Sequence, residues 1–350
     1  MSHYTSLEEL GWDATLEQAF TEFEDEACTP GRVSVGHRSA CTVYTEKGEL
    51  LARPSGRLRH RSEGADLPAV GDWVVVRRSA DGSGTIEAVL PRRSKLSRHA
   101  AGVETSEQVL AANVDSVFLV VGLDQEPNLR RIERFLAPAW QSGAVPVIVL
   151  SKADLCADVG AAARAVASVA IGVAIHAVST VTGTAVTDLA PYLGRGKTVA
   201  LLGPSGVGKS SLVNVLAGDA QLETNEVRHD GKGRHTTSHR ELVRLPSGGS
   251  IIDTPGMREL QLWDAGDGVD LSFDDVLTVA RGCRFNDCAH LSEPGCAVRA
   301  ALADGSLPAE RWTSYQKLQR ELRALHLKRD RRAAADERRR FRALARSRRR

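Results

Sequence analysis

The pattern of apolar and polar positions changes character twice along the chain. Residues 31–93 carry "RVSVGHRSACTVYT", "ELLARPS", "DWVVVRRS" and "TIEAVLP", short β-rich stretches separated by Gly, Pro, Asp and Ser. Several alternate apolar with polar residues, as strands do when one face is buried. Four or five strands in about sixty residues predict a small all-β barrel, and an OB-fold suits that number. From residue 114 the rhythm becomes strand, helix, strand. "VDSVFLVVGL" is an unbroken apolar run, a strand covered on both faces, and "LRRIERFLAPAW" has helical spacing. "VPVIVLSKADL" reads as strand then loop, "AAARAVASV" as helix, "GVAIHAVST" as strand, "DLAPYL" as a short helix and "KTVALLGPSGVGKSS" as strand, loop and helix. Such alternation predicts an α/β domain with a parallel sheet between two helical layers. After Gly256 the strand pattern stops, and residues 271–325 read as helical. The predicted division is an N-terminal extension (1–30, helical from about Thr15 to Glu26), an OB-fold barrel suited to RNA (31–93), an α/β domain (94–262), a helical domain (263–326) and a basic tail (327–350).

Composition refines this division. The chain has 350 residues, 42% hydrophobic and 26% charged, within the range of soluble globular proteins. No apolar run approaches the ~18 residues a membrane span needs. The first twenty residues carry acids and no basic segment leading into an apolar core, so no secretory signal is expected; the expected location is the cytoplasm. The net charge of +2 hides an asymmetry: residues 317–350 hold fifteen Lys/Arg against four Asp/Glu. So concentrated a basic segment points to a polyanion, RNA foremost, against the alternative of a solvated helix with a disordered end. Cys28, Cys41 and Cys156 are scattered, whereas Cys283, Cys288 and Cys296 cluster with His290.

The chemistry-bearing motifs begin with Gly203-Pro204-Ser205-Gly206-Val207-Gly208-Lys209-Ser210, followed by Ser211. This is G-x-x-x-x-G-K-[ST] between an apolar strand and a helix, the context in which the motif binds a nucleoside triphosphate. Its glycines let backbone N–H groups turn toward the phosphates and the helix N-terminus adds a positive dipole end. Lys209 is expected to bridge the β- and γ-phosphates, and the Ser210 hydroxyl to bind Mg²⁺. Upstream, Ser151-Lys152-Ala153-Asp154 ends a buried strand in the manner of the N/T-K-x-D loop that reads guanine. A carboxylate at Asp154 pairs with the two N–H groups on the guanine edge, a donor pair adenine lacks, which selects GTP and GDP over an ATPase or kinase reading. The stem of Lys152 would cover one base face. Ser151 stands where Asn or Thr is usual; its hydroxyl can tether the loop with fewer bonds than an amide. Ser179, in "VST", occupies the place of a second base loop, whose backbone N–H meets the guanine O6. "IIDTPG" supplies Asp253 and Gly256 as the D-x-x-G that senses γ-phosphate and Mg²⁺, and "GKGRHTTSH" offers Thr236 and Thr237 as the switch threonine.

These pieces run base loop, second base loop, phosphate loop, switch threonine, D-x-x-G. An ordinary G domain begins with the phosphate loop, so the order is that of a circular permutation, which costs little because the termini of compact domains lie close together. The permuted chain leads from the γ-phosphate sensor straight into the helical region that carries Cys283-x₄-Cys288-x-His290-x₅-Cys296, three thiols and an imidazole that complete a tetrahedral set for one structural Zn²⁺. Glu293 is placed to support that loop or cap a turn.

The motifs "VGDWVVV", "AANVDSVFLVV", "GPSGVGKSSLVN", "GRHTTSH", "DTPGMREL" and "CRFNDCAHLSEPGCAV" resemble those of the bacterial ribosome small-subunit-dependent GTPase A family over about residues 31–325. The resemblance implies an OB-fold, a permuted GTPase domain and a zinc-binding helical domain. It also implies partnership with the 30S subunit and its 16S rRNA in late maturation, with subunit-stimulated GTP hydrolysis promoting release, and action as a monomer away from membranes. The residue after D-x-x-G is Met257, which cannot orient a water, so hydrolysis must recruit another group. His235 is the nearest candidate; the residues alone leave it open between that role and a solvated loop histidine, and the resemblance favours catalysis alongside Lys209 and Thr237. A non-catalytic RNA-binding checkpoint with GTP as a structural ligand is the competing expectation.

Overall fold

The structure, a computed structural model, describes residues 6–23, 27–61, 64–99, 107–218, 240–253 and 266–329. The β-rich segment closes into the expected barrel. β1 (Cys28–Gly36) pairs with β2 (Cys41–Thr45), β2 with β3 (Gly48–Pro54), β3 with β5 (Gly84–Val89), β5 with β4 (Trp73–Arg78), and β4 returns to β1. Only the β3–β5 pairing within this ring is parallel. A short helix, α1 (Ala14–Phe20), precedes the barrel and another, α2 (Gly56–Arg61), follows β3.

The run "WVVV" in β4 looks too apolar for a half-buried strand, and the structure gives the reason. Val74 and Val76 point into the barrel with Val33, Val43, Leu50 and Ile86. The alternate residues Trp73 and Val75 pack outward against Leu7, Leu10 and Leu16 of the N-terminal segment, with Trp12 edge-on to Trp73 at 4.8 Å. The Asp13 carboxylate caps α1 by accepting from the N–H groups of Thr15 and Leu16, both at 3.0 Å. The helix expected to reach Glu26 stops at Phe20; a 3₁₀ turn over Thr21–Phe23 follows it.

After the barrel comes a hairpin that the sequence pattern did not announce, β6 (Lys95–His99) and β7 (Glu107–Ala112). The α/β unit then runs β8 (Ser116–Gly122), α3 (Leu129–Gln141), β9 (Val145–Ser151), α4 (Val159–Ala167), β10 (Ala174–Ala177), a 3₁₀ segment at Val186–Tyr192, β11 (Thr198–Leu202), α5 (Lys209–Ala217), β12 (Glu241–Arg244) and β13 (Ser250–Asp253). In space the strands lie β10-β9-β8-β11-β13-β12, all parallel except β12. β8–β10 therefore form one half of the sheet and β11–β13 the other, and β11, which feeds the phosphate loop, lies at the centre beside β8. The two halves are contiguous in space but exchanged in sequence, which is what a circular permutation produces. The sheet is buried on both faces: Ile148, Leu150, Leu119 and Ala200 meet α3 and α4, while Phe118, Val147, Val199 and Ile251 meet α5 and Leu189.

β1 joins barrel and sheet. Its first half, Cys28–Arg32, closes the barrel against β4, and beyond a bulge between Val33 and Val35 it pairs with Glu241 of β12. A bulge bends and re-aims a strand, and here one strand serves both the barrel and the α/β unit, joining them in one continuous hydrogen-bonded sheet. Beneath the junction lies Arg32, fully buried. Its guanidinium donates to the backbone oxygens of Leu10, Gly71 (3.3 Å) and Asn113 (3.1 Å), so one side chain ties the N-terminal segment, the barrel and the α/β unit together. Burial pushes its pKa down to about 10.

The C-terminal region is helical among the described residues: α6 (Gly266–Ser272), α7 (Asp274–Arg281), α8 (Ala297–Asp304) and α9 (Ala309–Arg329). Val269, Phe273, Val276, Val298, Leu307 and Leu318 form its core, which reaches Ala137 of α3. Arg311 of α9 crosses the same boundary. It donates to Glu133 Oε1 of α3 at 2.7 Å, to both oxygens of Asp275 (2.9 and 3.1 Å) and to the carbonyl of Ser272 at 2.5 Å. No helix among the described residues is long and apolar enough to cross a membrane.

Candidate nucleotide site and metal centre

The phosphate loop leaves the C-terminal end of β11 and enters α5 at Lys209, the strand–loop–helix arrangement the motif requires. Gly203, Gly206 and Gly208 all have positive φ. At Gly203 the requirement is doubled, since a Cβ would stand 2.4 Å from the Val120 carbonyl oxygen of β8. The Lys209 ammonium is folded over the loop, donating to the carbonyl oxygens of Gly203 at 2.8 Å and Pro204 at 2.6 Å. Ser205 is exposed, while Pro204, Val207, Ser210 and Ser211 are partly buried around it.

The base loop lies beside it because β9 runs parallel to β11 two strands away, and its last residue, Ser151, lies three residues beyond the level of Leu202, alongside the phosphate loop. Ser151, the last residue of β9, is buried, and its hydroxyl donates to the Val207 carbonyl at 2.6 Å. The serine thus forms the tether expected of it. Lys152 adopts a left-handed backbone (φ 58°), unusual for a residue with a side chain. Its ammonium pairs with Asp124, on the loop after β8, at 2.9 Å. Asp154 Oδ1 accepts from the buried Ser179 hydroxyl at 2.5 Å, and that hydroxyl also accepts from the N–H groups of Val181 (3.3 Å) and Thr182 (3.1 Å). The two base loops are therefore bonded to each other and, through Ser151, to the phosphate loop. Asp253 ends β13 in a buried position on the neighbouring strand. His235, Thr236, Thr237, Gly256 and Met257 lie outside the described residues, as does the chain from 330 onward. Sequence reading missed Asp124; an acid two residues past a buried strand was the available signal.

The second cluster lies between α7 and α8. The ligand atoms of Cys283, Cys288, His290 and Cys296 all fall within 4.8 Å of one another. Zinc bonds of ~2.3 Å to sulfur and ~2.05 Å to nitrogen at the tetrahedral angle require sulfur–sulfur separations of ~3.8 Å and sulfur–nitrogen separations of ~3.6 Å. The Cys283 and Cys296 sulfurs stand 3.9 Å apart, and each is 3.5 Å from His290 Nδ1. That donor set and spacing suit Zn²⁺ with no open position. Desolvation pushes the Cys283 thiol up, yet the Val298 and Ala297 backbone N–H groups and the neighbouring thiols hold it below its ordinary value. The Arg299 N–H points at the Cys296 sulfur at 3.5 Å. Glu293 caps the intervening turn, accepting from the N–H groups of Ala289, Leu291 and Ser292 at 2.8–3.1 Å. The edge of His290 packs on Trp312, with ring centroids 5.4 Å apart.

A phosphate loop on a sheet whose halves are exchanged, with an N-terminal barrel and a C-terminal Cys₃His cluster, defines a circularly permuted GTPase. Comparison with known proteins agrees. Residues 89–263 match the family model described as RsgA GTPase. The chain is 50% identical over 332 residues to the small ribosomal subunit biogenesis GTPase RsgA of Opitutus terrae, covering 90% of this chain and 89% of that protein. It is 43% identical over 344 residues to the protein of the same name from Streptomyces coelicolor, covering 97% and 93%. Among solved structures, YjeQ from Thermotoga maritima matches with a TM-score of 0.63 and 30% identity over 84% of this chain and 98% of its own. YloQ, a circularly permuted GTPase, matches with a TM-score of 0.62 and 26% identity over 86% and 97%. The chain belongs to the RsgA GTPase family, and it is a GTP hydrolase.

Proposed function

We propose that this GTPase acts in biogenesis of the small ribosomal subunit. It binds the 30S particle through 16S rRNA, using the barrel and the C-terminal region, and couples subunit-stimulated GTP hydrolysis to its own release. The names of its relatives support the process, and the basic segment 317–350 supports the RNA contact. The observation that carries the nucleotide reading is the Ser151–Val207 bond at 2.6 Å, which sets the guanine-reading carboxylate in fixed register with the phosphate loop.

In this reading Asp154 accepts from the guanine edge, Lys152 covers its face and the second base loop at Ser179 offers its backbone N–H to O6. The backbone N–H groups of residues 203–208 and the Lys209 ammonium hold the phosphates, while Ser205 and Ser211 flank them. Ser210 and Thr237 would hold Mg²⁺, with Asp253 and Thr236 in supporting roles; the bound ion would neutralise charge developing on the phosphate oxygens. The Gly256 backbone senses the γ-phosphate. Met257 has no hydrogen bond to offer a water, so His235 orients the attacking one. Water adds to the γ-phosphorus, the bond to the β–γ bridging oxygen breaks, and GDP and phosphate leave. Because α6 is the next described element after the strand of Asp253 in the sequence, loss of the γ-phosphate is transmitted to the zinc-type domain along the chain itself.

Co-sedimentation with separated ribosomal subunits tests the partner. Retention on the small subunit with a non-hydrolysable GTP analogue, and loss of it with GDP, is expected. Equal retention with both nucleotides, or preference for the large subunit, would refute the proposal.

A further inference from the structure

We propose that Asp124 is a positioning residue for guanine-nucleotide binding, pinning Lys152 so that the lysine stem is already in place over the base. The inference rests on the base-loop reading above and extends it to a residue outside every motif of the chain. β8 and β9 are parallel neighbours in which Gly122 lies opposite Ser151, and the Leu123 N–H donates to the Ser151 carbonyl at 2.9 Å. The loops leaving the two strands therefore start level, and they bring the Asp124 carboxylate to 2.9 Å from the Lys152 ammonium.

Gly122 makes room for this contact. A Cβ at that position would stand 2.6 Å from Asp124 Oδ1 and 3.7 Å from Val207 Cα. The carboxylate thus lies in the gap a side chain would fill, close to the phosphate loop. Lys152 itself is held at φ 58° by its place at the end of β9, so its stem leaves the backbone in a fixed direction. Four rotors remain free along that stem, and ordering them costs entropy that a bound nucleotide would otherwise have to supply. An ion pair that fixes the far end lowers that cost before the nucleotide arrives. The side chains of Asp124 and Lys152 are 40% and 27% exposed, so the effect is that of a partly screened pair, a few-fold in affinity.

Covering a base face is indifferent to the groups on the base edge, which separates the role of Asp124 from that of Asp154. The test measures GDP and IDP (the inosine analogue without the 2-amino group) affinity on the full chain, for wild type and for Asp124→Ala, Asp124→Glu and Gly122→Ala. Asp124→Ala and Gly122→Ala should weaken both ligands by the same factor, about two- to fivefold, the range of exposed ion pairs. Asp124→Glu should recover most of the loss. The difference between wild type and Asp124→Ala should shrink in ~1 M salt, where the Debye length is ~3 Å; a purely structural defect would persist there. Unchanged or tighter binding in Asp124→Ala, or a loss confined to GDP, would overturn the proposal. Failure of the base-loop reading would show separately, as an Asp154→Asn variant with unaltered preference for GDP over XDP.

Discussion

Replacing Arg311 with Met removes the strut between the C-terminal helices and the GTPase sheet while keeping the length of the side chain. Arg311 and Glu133 are each only 3% exposed at the side chain, whereas Asp275 is 28% exposed. Burial works against the Arg311 charge, but Asp275 and Glu133 hold its pKa above the ordinary guanidinium value. The Arg311 guanidinium also lies 4.1 Å above the Phe273 ring. Without it, Glu133 is a carboxylate in a water-excluded boundary between α3 and α9, and the carbonyls of Ser272 and Val169 lose a donor. Breaking a buried pair by removing one partner costs about 3–5 kcal/mol. The partly exposed Asp275 contact alone contributes no more than ~1 kcal/mol. The order of effect should therefore be Arg311→Met, then Glu133→Gln, which leaves Arg311 neutralised by Asp275, then Asp275→Asn. Amide hydrogen exchange resolved by segment is the assay, because a three-part chain need not unfold in one step. A loss of 3–5 kcal/mol corresponds to ~10²–10⁴-fold faster exchange in α6, α7 and α9. The central strands β8 and β11 should change little. Acceleration below tenfold in Arg311→Met, or an equal effect from Asp275→Asn, would refute the buried-strut argument.

Three further outcomes are expected. Asp154→Asn should shift nucleotide preference from guanine toward xanthine, because an amide can donate to the xanthine oxygen; unchanged GTP affinity in competition binding would remove Asp154 from the site. Metal analysis should find near one zinc per chain, and Cys288→Ala should raise exchange in α7 and α8 while GTP binding persists, since a structural site organises its own local fold; a metal-free chain with unaltered exchange there would contradict the assignment. His235→Ala should lower subunit-stimulated single-turnover hydrolysis by ~10²–10⁴-fold with GTP affinity nearly unchanged, the range for a group that positions or activates water; a rate within about twofold of wild type would leave the histidine a loop residue.

How much of this was legible in the chain depended on range. The phosphate loop, the base loop and the Cys/His cluster are local in sequence, and local spacing determines which side chains can converge. The permutation was legible for the same reason, because motif order survives without coordinates. β12 escaped notice because "ELVR" offers only two buried residues, Leu242 and Val243, and its place comes from pairing with β13 and β1. The β6–β7 hairpin was hidden by the length of connection between its strands. Glu133 was the clearest overlooked signal. It stands on the buried face of α3 beside Ile132 and Leu136, and an acid there demands a buried cation. That cation, Arg311, is 178 residues away, a separation no local pattern encodes.

The central claim, that this site hydrolyses GTP under control of the small ribosomal subunit, is tested by multiple-turnover phosphate release. The rate would be measured with the chain alone, with isolated small subunits and with isolated large subunits, and each arm repeated with Lys209→Ala. A rate that rises severalfold or more only with small subunits, and falls to background in Lys209→Ala, is the predicted result. Turnover indifferent to the small subunit, or stimulated turnover that survives loss of Lys209, would contradict it.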